Sequence, residues 1–422
     1  MFLAEIELEN VRSFPSLRLN FTGENDKTRR WTYILGENGI GKSTLLKAIA
    51  LVTAGSDALS ELIGDPDAWI RTGQDQCRIR AVLRTARNES RPVELIIKRG
   101  HGIRDLMSTN HEGLSLLDDA LSHTLRNYPV IAYGVSRRSA DAGKFSIGQD
   151  QSPFEHDRAR SVATLFTSDA RLTPIEQWAM DMEYRRGQEG LEIIQSAFRQ
   201  LIPHVSFHGI DKENRRLLFK TPDGVVPYQY LSDGYQTIVG WIGDLLYRVT
   251  ETFSNYKDPF KARGLLMLDE LELHLHPLWQ RKLTDFLKAR LPNFQVIATT
   301  HAPLTAHQAG LNELFFIRRG KGKHPELSQY EGEPRQLMLH QLLQTPAFGL
   351  DTLDSQYVEG MRDELKRLRA KKTLSPAQQT RLENVRANLA QVPDWQTPSD
   401  WEKRQLALME KIKQRVGDTS TD

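Results

Sequence analysis

The N-terminal stretch FLAEIELENV alternates apolar and acidic positions, the period of a strand with one buried face, and SLRLNF and WTYIL predict two further strands. Directly after WTYIL comes a glycine-rich turn, Gly36 to Gly41, and from Thr44 to Leu51 the apolar positions take up helical spacing, so the turn joins a strand to a helix. CRIRAVLRT and PVELIIKRG predict a hairpin pair, and YPVIAYG a short apolar strand ending at Gly134. From about Ala140 to Pro153 the residues turn to Gly, Ser, Asp and Gln, which predicts a polar, mobile loop. Helical period returns in PIEQWAMDMEYRRGQEGLEIIQSAFRQLI, a hairpin follows in RRLLFKTPDGVVPYQY, and TIVGWIGDLLYRV predicts an apolar helix. GLLMLDE and FQVIATTH are continuous apolar runs closed by polar residues, the pattern of strands covered on both faces of a parallel sheet.

Beyond Leu350 the pattern changes. SQYVEGMRDELKRLRAKK and RLENVRANLAQV are charged, amphipathic and helical, and Ser375-Pro376-Ala377-Gln378 is a capping box with proline at the first helical position. Ser399 to Glu402 repeats that logic before a last helix. A boundary near Leu350 therefore separates residues 1–350 from a helical region over 351–422. No internal repeat or long heptad array is evident.

Bulk properties narrow the class without naming an activity. At 422 residues the chain can bury a large core and exceeds a single small domain. Its 56 basic against 54 acidic residues give a net charge of +2, which neither demands nor excludes nucleic acid, since a local basic face can hide in a neutral total. A single cysteine, Cys77, rules out an internal disulfide and fits a reducing cytoplasm. The opening MFLAEIELEN has acids at 5, 7 and 9 where a secretory signal would be basic, and no apolar run approaches the roughly 20 residues of a membrane span. The expectation is a soluble, cytoplasmic protein.

The candidate chemistry starts in the turn, which reads Gly36-Glu37-Asn38-Gly39-Ile40-Gly41-Lys42-Ser43-Thr44. G-x-x-x-x-G-K-S after a strand and before a helix lets consecutive backbone N–H groups face a polyphosphate, with Lys42 reaching the terminal phosphates and Ser43 placed to ligate Mg2+. The competing reading is a glycine-rich turn with a solvated lysine. Four further features bear on the choice. LLMLDE delivers Asp269 and Glu270 to the end of a buried strand, where Asp269 can hold Mg2+ through its water and Glu270 can polarise a water attacking a γ-phosphate; an exposed acid pair at a strand end is the alternative. TTH closes the next strand at His301, able to hydrogen-bond that phosphate, with a structural histidine as the alternative. In YLSDGYQT, Ser232 and the N–H near Gly234 form a second phosphate-seeking helix start; an ordinary N-cap is the alternative. In ELELHLHP, His274 and His276 lie two apart, but a third metal ligand is not visible nearby, and a turn contacting an opposite subunit is the preferred use.

In this order the motifs resemble the ABC-type ATPase heads of the SMC, RecF and OLD-like superfamily, over about residues 1–320. On that resemblance Gly36 to Thr44 matches the Walker A loop, Leu231 to Gln236 the signature, Leu265 to Glu270 the Walker B strand, His274 to Pro277 the D-loop region and His301 the switch histidine. ENVRSF is similar to the first strand of these heads, where Arg12 would approach the nucleotide. The resemblance implies an α/β fold: a mixed, mainly parallel sheet with the P-loop, an antiparallel β subdomain, a helical signature subdomain over about 155–250, and the C-terminal helical appendage. It implies ATP and Mg2+ as cofactors, catalysis by Lys42, Glu270 and His301, and a homodimer or higher homo-oligomer closed through its nucleotide sites.

The signature reads L-S-D-G-Y where transporters have L-S-G-G-Q. Gln149 and Gln151 are the candidates for the Q-loop glutamine. No coiled-coil arm interrupts residues 44–230, which speaks against a cohesin-like role, and no acidic nuclease constellation follows residue 320. VIAYGVSRRS and TPAFGLDTLDSQY resemble stand-alone ATPases of bacterial anti-phage systems such as Septu, whose nuclease is a separate polypeptide. Three readings follow: a defence ATPase holding an HNH-type nuclease effector by its C-terminal helices; a repair ATPase clamping DNA with Arg137, Arg138 or Arg318 to Lys323; and a transporter's nucleotide-binding subunit, which the signature disfavours. A solvated strand-turn segment is the competing view of Arg318 to Lys323.

Overall fold

The computed structural model describes residues 1–23, 27–85, 88–121, 128–138, 153–198, 204–253, 259–273, 275–320, 322, 324–371, 373–392 and 409. The chain divides into two compact units, Met1–Gly349 and Leu350–Asp422. The strands of the first are β1 (Phe2–Val11), β2 (Phe14–Asn20), β3 (Trp31–Gly36), β4 (Gln76–Arg84), β5 (Ser90–Lys98), β6 (Val130–Tyr133), β7 (Ser206–Asp211), β8 (Arg216–Thr221), β9 (Gly224–Pro227), β10 (Leu265–Leu268), β11 (Gln295–Thr300), β12 (Leu314–Arg319) and β13 (Pro325–Gln329). They form three sheets: β2-β1-β4-β5, antiparallel throughout; β13-β12-β3-β11-β10-β6, parallel except for β13; and β7-β8-β9, antiparallel.

The central sheet explains why β3, β10 and β11 read as unbroken apolar runs. Side chains alternate across a strand, and here both faces are covered. Ile34, Leu265, Met267 and Ile297 enter one hydrophobic cluster together with the β2-β1-β4-β5 sheet and the helix Lys42–Leu51. Tyr33, Leu35, Leu266, Leu268 and Ala298 enter another, with the helices Ile175–Phe198, Asp233–Thr252 and Pro277–Arg290. Every residue of β10 and β11, and every residue of β3 except Gly36, is buried, so no polar face remains to betray a period of two.

The hairpins expected from CRIRAVLRT with PVELIIKRG and from RRLLFKTPDGVVPYQY are β4-β5 and β8-β9. Among the differences from the pattern reading, two concern a long helix and a strand of the central sheet. The helical run from Ile175 is broken at Gly187, whose φ of 55° and ψ of −128° lie outside the helix region. The stretch LFFIRR, not singled out as a strand, is β12, paired in parallel with β3. Among the described residues no helix is long and apolar enough to cross a membrane.

In the second unit the helices Gln356–Arg369 and Pro376–Ala390 form a hairpin joined by Arg381, whose Nε and Nη2 each donate at 2.8 Å to the Glu364 carboxylate. Ser375 and Gln378 form the expected capping box, with Pro376 at the first helical position. Ser399 to Glu402 lies outside the described residues.

Candidate functional site

The Walker A turn leaves β3 at Gly36 and enters its helix at Lys42. Gly39 and Gly41 take φ of 75° and 111°, the left-handed region that favours glycine. Gly41 has a second constraint: a Cβ there would lie 2.6 Å from the Phe14 ring and 3.0 Å from Ser13 Oγ, so the turn between β1 and β2 closes directly over the loop. Gly41 caps the helix without a side chain, leaving the first N–H groups free for an anion. Asn38 and Gly39 are exposed on the turn. Lys42 is 6% exposed and its Nζ donates to the carbonyls of Gly36 at 2.6 Å and Glu37 at 3.1 Å. Burial draws its pKa down, while the charges of Glu270, Asp269 and Glu272 oppose that shift.

Strand order brings the acid pair to this loop. β11 lies between β3 and β10, so the ends of all three strands converge on one sheet edge. Asp269, 3% exposed, accepts hydrogen bonds on both oxygens: Ser43 Oγ donates to Oδ2 at 2.5 Å and Thr299 Oγ1 to Oδ1 at 2.6 Å. The Glu270 N–H donates to the same Thr299 hydroxyl at 2.8 Å. One hydroxyl on the intervening strand therefore fixes both acids. Thr299 was not among the residues picked from the sequence; its signal was its place in ATTH, at the end of the strand that follows the acid pair. Glu270 sits at φ 51°, an uncommon conformation for a non-glycine residue that aims its side chain off the strand end.

His301 follows β11, and its Nδ1 lies 3.8 Å from Glu270 Oε1 and 3.3 Å from Glu272 Oε1. Glu272 also went unread: ELELH alternates like an exposed strand end, yet its carboxylate is buried, accepting from the N–H groups of His301 at 2.9 Å and Ala302 at 3.0 Å.

Arg137, one of the candidates for a DNA-clamping face in the repair reading, is 6% exposed. Its Nε donates to the Gly134 carbonyl at 3.0 Å, and its Nη2 donates to the carbonyls of Asp269 and Glu270, the latter at 2.9 Å. The guanidinium carbon stands 5.4 Å from the Trp241 ring centroid. Pairing of β6 with β10 swings the following turn beneath the acid pair, and a charge desolvated there must have hydrogen-bond partners. Burial lowers its pKa to about 10, so it stays charged at neutral pH. That burial removes Arg137 from any DNA-contacting role; Arg138 is exposed.

Arg12, at φ 48°, lies in the β1–β2 turn whose Ser13 and Phe14 border Gly41. Its guanidinium lies 4.3 Å from the Trp69 ring centroid, and Nε donates to the Ala68 carbonyl at 3.2 Å. Ser232 is the N-cap residue of the helix Asp233–Thr252, but its side chain makes no capping hydrogen bond. Gln236 N–H donates to the Ser232 carbonyl at 2.9 Å, so the N–H groups of Asp233, Gly234 and Tyr235 precede the first helical bond. This departs from an ordinary Ser N-cap, whose oxygen would engage that first turn. His276 caps the helix Pro277–Arg290, its Nδ1 accepting from Leu278 N–H at 3.3 Å. His274, Gln149 and Gln151 lie outside the described residues, as does most of the polar stretch from Ala140 to Pro153. Among the described residues no cluster of potential ligands matches a metal site built from three or more His, Cys, Asp or Glu side chains.

A family model described as AAA domain, putative AbiEii toxin, Type IV TA system matches residues 118–306. The chain is 24% identical over 354 residues to the Septu protein PtuA of Bacillus mycoides (strain KBAB4), covering 83% of this chain and 45% of the relative. It thus spans less than half the length of that protein. It is 22% identical over 395 residues to the Retron Ec83 probable ATPase of Escherichia coli, covering 76% of this chain and 72% of the relative. Among solved structures it is similar to an SMC head bound to the C-terminal winged-helix domain of ScpA, with a TM-score of 0.48, 16% identity, and coverage of 78% of this chain and 98% of that one. The sequence relatives agree with the resemblance carried by the motifs.

Proposed function

We propose that this chain binds and hydrolyses ATP at the Walker A turn and regulates a separate effector, a nuclease, in bacterial anti-phage defence. The observation that carries the catalytic part is the hydrogen-bonded chain Ser43–Asp269–Thr299–Glu270, which ties the phosphate loop to the acid pair at one sheet edge. Backbone N–H groups of Gly39 to Thr44 cradle the β and γ phosphates, and Lys42 exchanges its contacts with Gly36 and Glu37 for phosphate oxygens. Ser43 Oγ and Asp269 Oδ2 are hard oxygen donors of the kind Mg2+ takes, so these two residues fit the ion. Mg2+ bound there would neutralise charge on the β and γ phosphates. Glu270 orients a water and accepts its proton, while His301 hydrogen-bonds the γ-phosphate.

Ser232, with its hydroxyl unused in capping, serves the nucleotide of a second copy, so the working unit is a homodimer. Similarity to Septu and retron proteins supports the defence role, and the helical hairpin in residues 350–422 is the surface we assign to the effector.

The direct test is Glu270→Gln in the purified protein. It should bind ATP as the wild type does, lose hydrolysis by about 10²-fold or more, and accumulate as an ATP-bound dimer in light scattering. Wild-type turnover in that variant would sink the catalytic assignment.

A further inference from the structure

The geometry points to Glu272 as a positioning residue that holds the His301 ring in its working orientation and keeps it off Glu270. The inference rests on the ATPase reading above. Glu272 Oε1 accepts from two backbone N–H groups, of His301 and Ala302, and lies 3.3 Å from His301 Nδ1. Its Oε2 is buried with no hydrogen-bond partner. Clamping the turn after β11 requires only an acceptor, which a neutral amide supplies without the desolvation of a charge. The carboxylate adds an anion against the imidazole.

That anion selects the ring's proton arrangement. With Nδ1–H donated to Glu272, Nε2 on the far side of the ring is left for the nucleotide; a histidine's free nitrogen is assigned by the bond its other nitrogen makes. A second acid competes for the same proton, since Glu270 Oε1 lies 3.8 Å from Nδ1. If the ring bonded Glu270, it would occupy an oxygen that must receive the water's proton. Glu272 is the nearer of the two, and its attachment to the backbone of His301 and Ala302 fixes it relative to the ring.

A double-mutant cycle isolates the effect. Glu272→Gln keeps the shape and an acceptor for the backbone N–H groups but removes the charge. It should lower kcat about tenfold or more, the lower end of the range for losing the hydrogen-bond partner that orients a metal-bound histidine, with KM for ATP within about threefold. Glu272→Gln combined with His301→Ala should be no slower than His301→Ala alone, because Glu272 acts only through the ring. If the double variant is slower than His301→Ala by the same factor that Glu272→Gln costs by itself, Glu272 acts elsewhere and the inference is overturned.

A measurement on the unaltered protein decides the matter even if Glu272→Gln fails to fold. Nitrogen NMR of histidine-labelled protein, with His301 assigned by difference from His301→Ala, should find the proton on Nδ1; a neutral ring protonated only at Nε2 would overturn the proposal. Loss of hydrolysis in the wild type itself would instead count against the ATPase reading, so the two failures are distinct.

Discussion

At the scale of single residues, the site is built from groups that are costly to bury and are placed where each has a partner. Lys42 shows the consequence most directly. Its ammonium is desolvated, and among the described residues it donates to two loop carbonyls. Lys42→Ala removes charge-assisted contacts to phosphate worth about 1.5–3 kcal/mol each, so ATP affinity measured by calorimetry should fall about 100-fold or more. Tight binding by that variant would remove the phosphate-loop reading. The same logic relocates Arg137. A guanidinium in the sequence stretch SRRS looks like a surface group, but three main-chain carbonyls and the Trp241 ring fill its shell. It braces the backbone of both acids. Letters alone cannot distinguish the two fates of an arginine, because burial is a property of the surroundings.

Among the elements, a buried polar network ties the helix Asp233–Thr252 to the sheet. Asp244, fully buried in the helix Asp233–Thr252, accepts from Tyr133 Oη at 2.6 Å, from Arg248 Nε at 2.6 Å and from the Thr173 N–H at 2.9 Å. Tyr133 ends β6, the edge strand whose following turn carries Arg137. Ser232 at the helix start is thus linked, through Trp241 and Asp244, to the strand beside the acid pair. Burial and the facing carboxylate drive the Tyr133 pKa well above its usual value, so the phenol stays a donor across the physiological range. Asp244→Ala would leave Arg248 and Tyr133 without their partner. Breaking a buried pair on one side costs about 3–5 kcal/mol, so the urea midpoint should fall by the corresponding amount, with the slope unchanged. A variant as stable as the wild type would show that the helix docks by apolar contact alone.

At the scale of the whole molecule, the arrangement in trans remains the sharpest prediction. Ser232→Arg should block closure of the dimer while sparing binding at its own loop, and Lys42→Ala should empty its own loop while sparing its signature. Mixed together, they form a heterodimer with one site lacking both groups and one site retaining both, so part of the ATPase activity should return although each homodimer is inactive. No recovery under conditions of proven subunit exchange, together with failure of cysteines at Ser232 and in the partner's loop to crosslink with ATP, would defeat the trans arrangement. Much of this molecule was readable locally. A glycine-rich turn between a strand and a helix, two apolar runs ending in Asp269-Glu270 and His301, and a capping box at Ser375 are each set by neighbours within one element, where period, turn chemistry and capping act. The left-handed φ of Glu270, the strand order β3-β11-β10 and the two faces of the central sheet are settled by packing between segments far apart in sequence. That order alone puts Thr299 between Ser43 and the acid pair, and the turn after β11 alone buries Glu272 against His301. The sequence by itself determined which groups are present and which elements carry them; the tertiary structure decided which of them meet, because hydrogen bonds and desolvation depend on three-dimensional neighbours that no local pattern encodes.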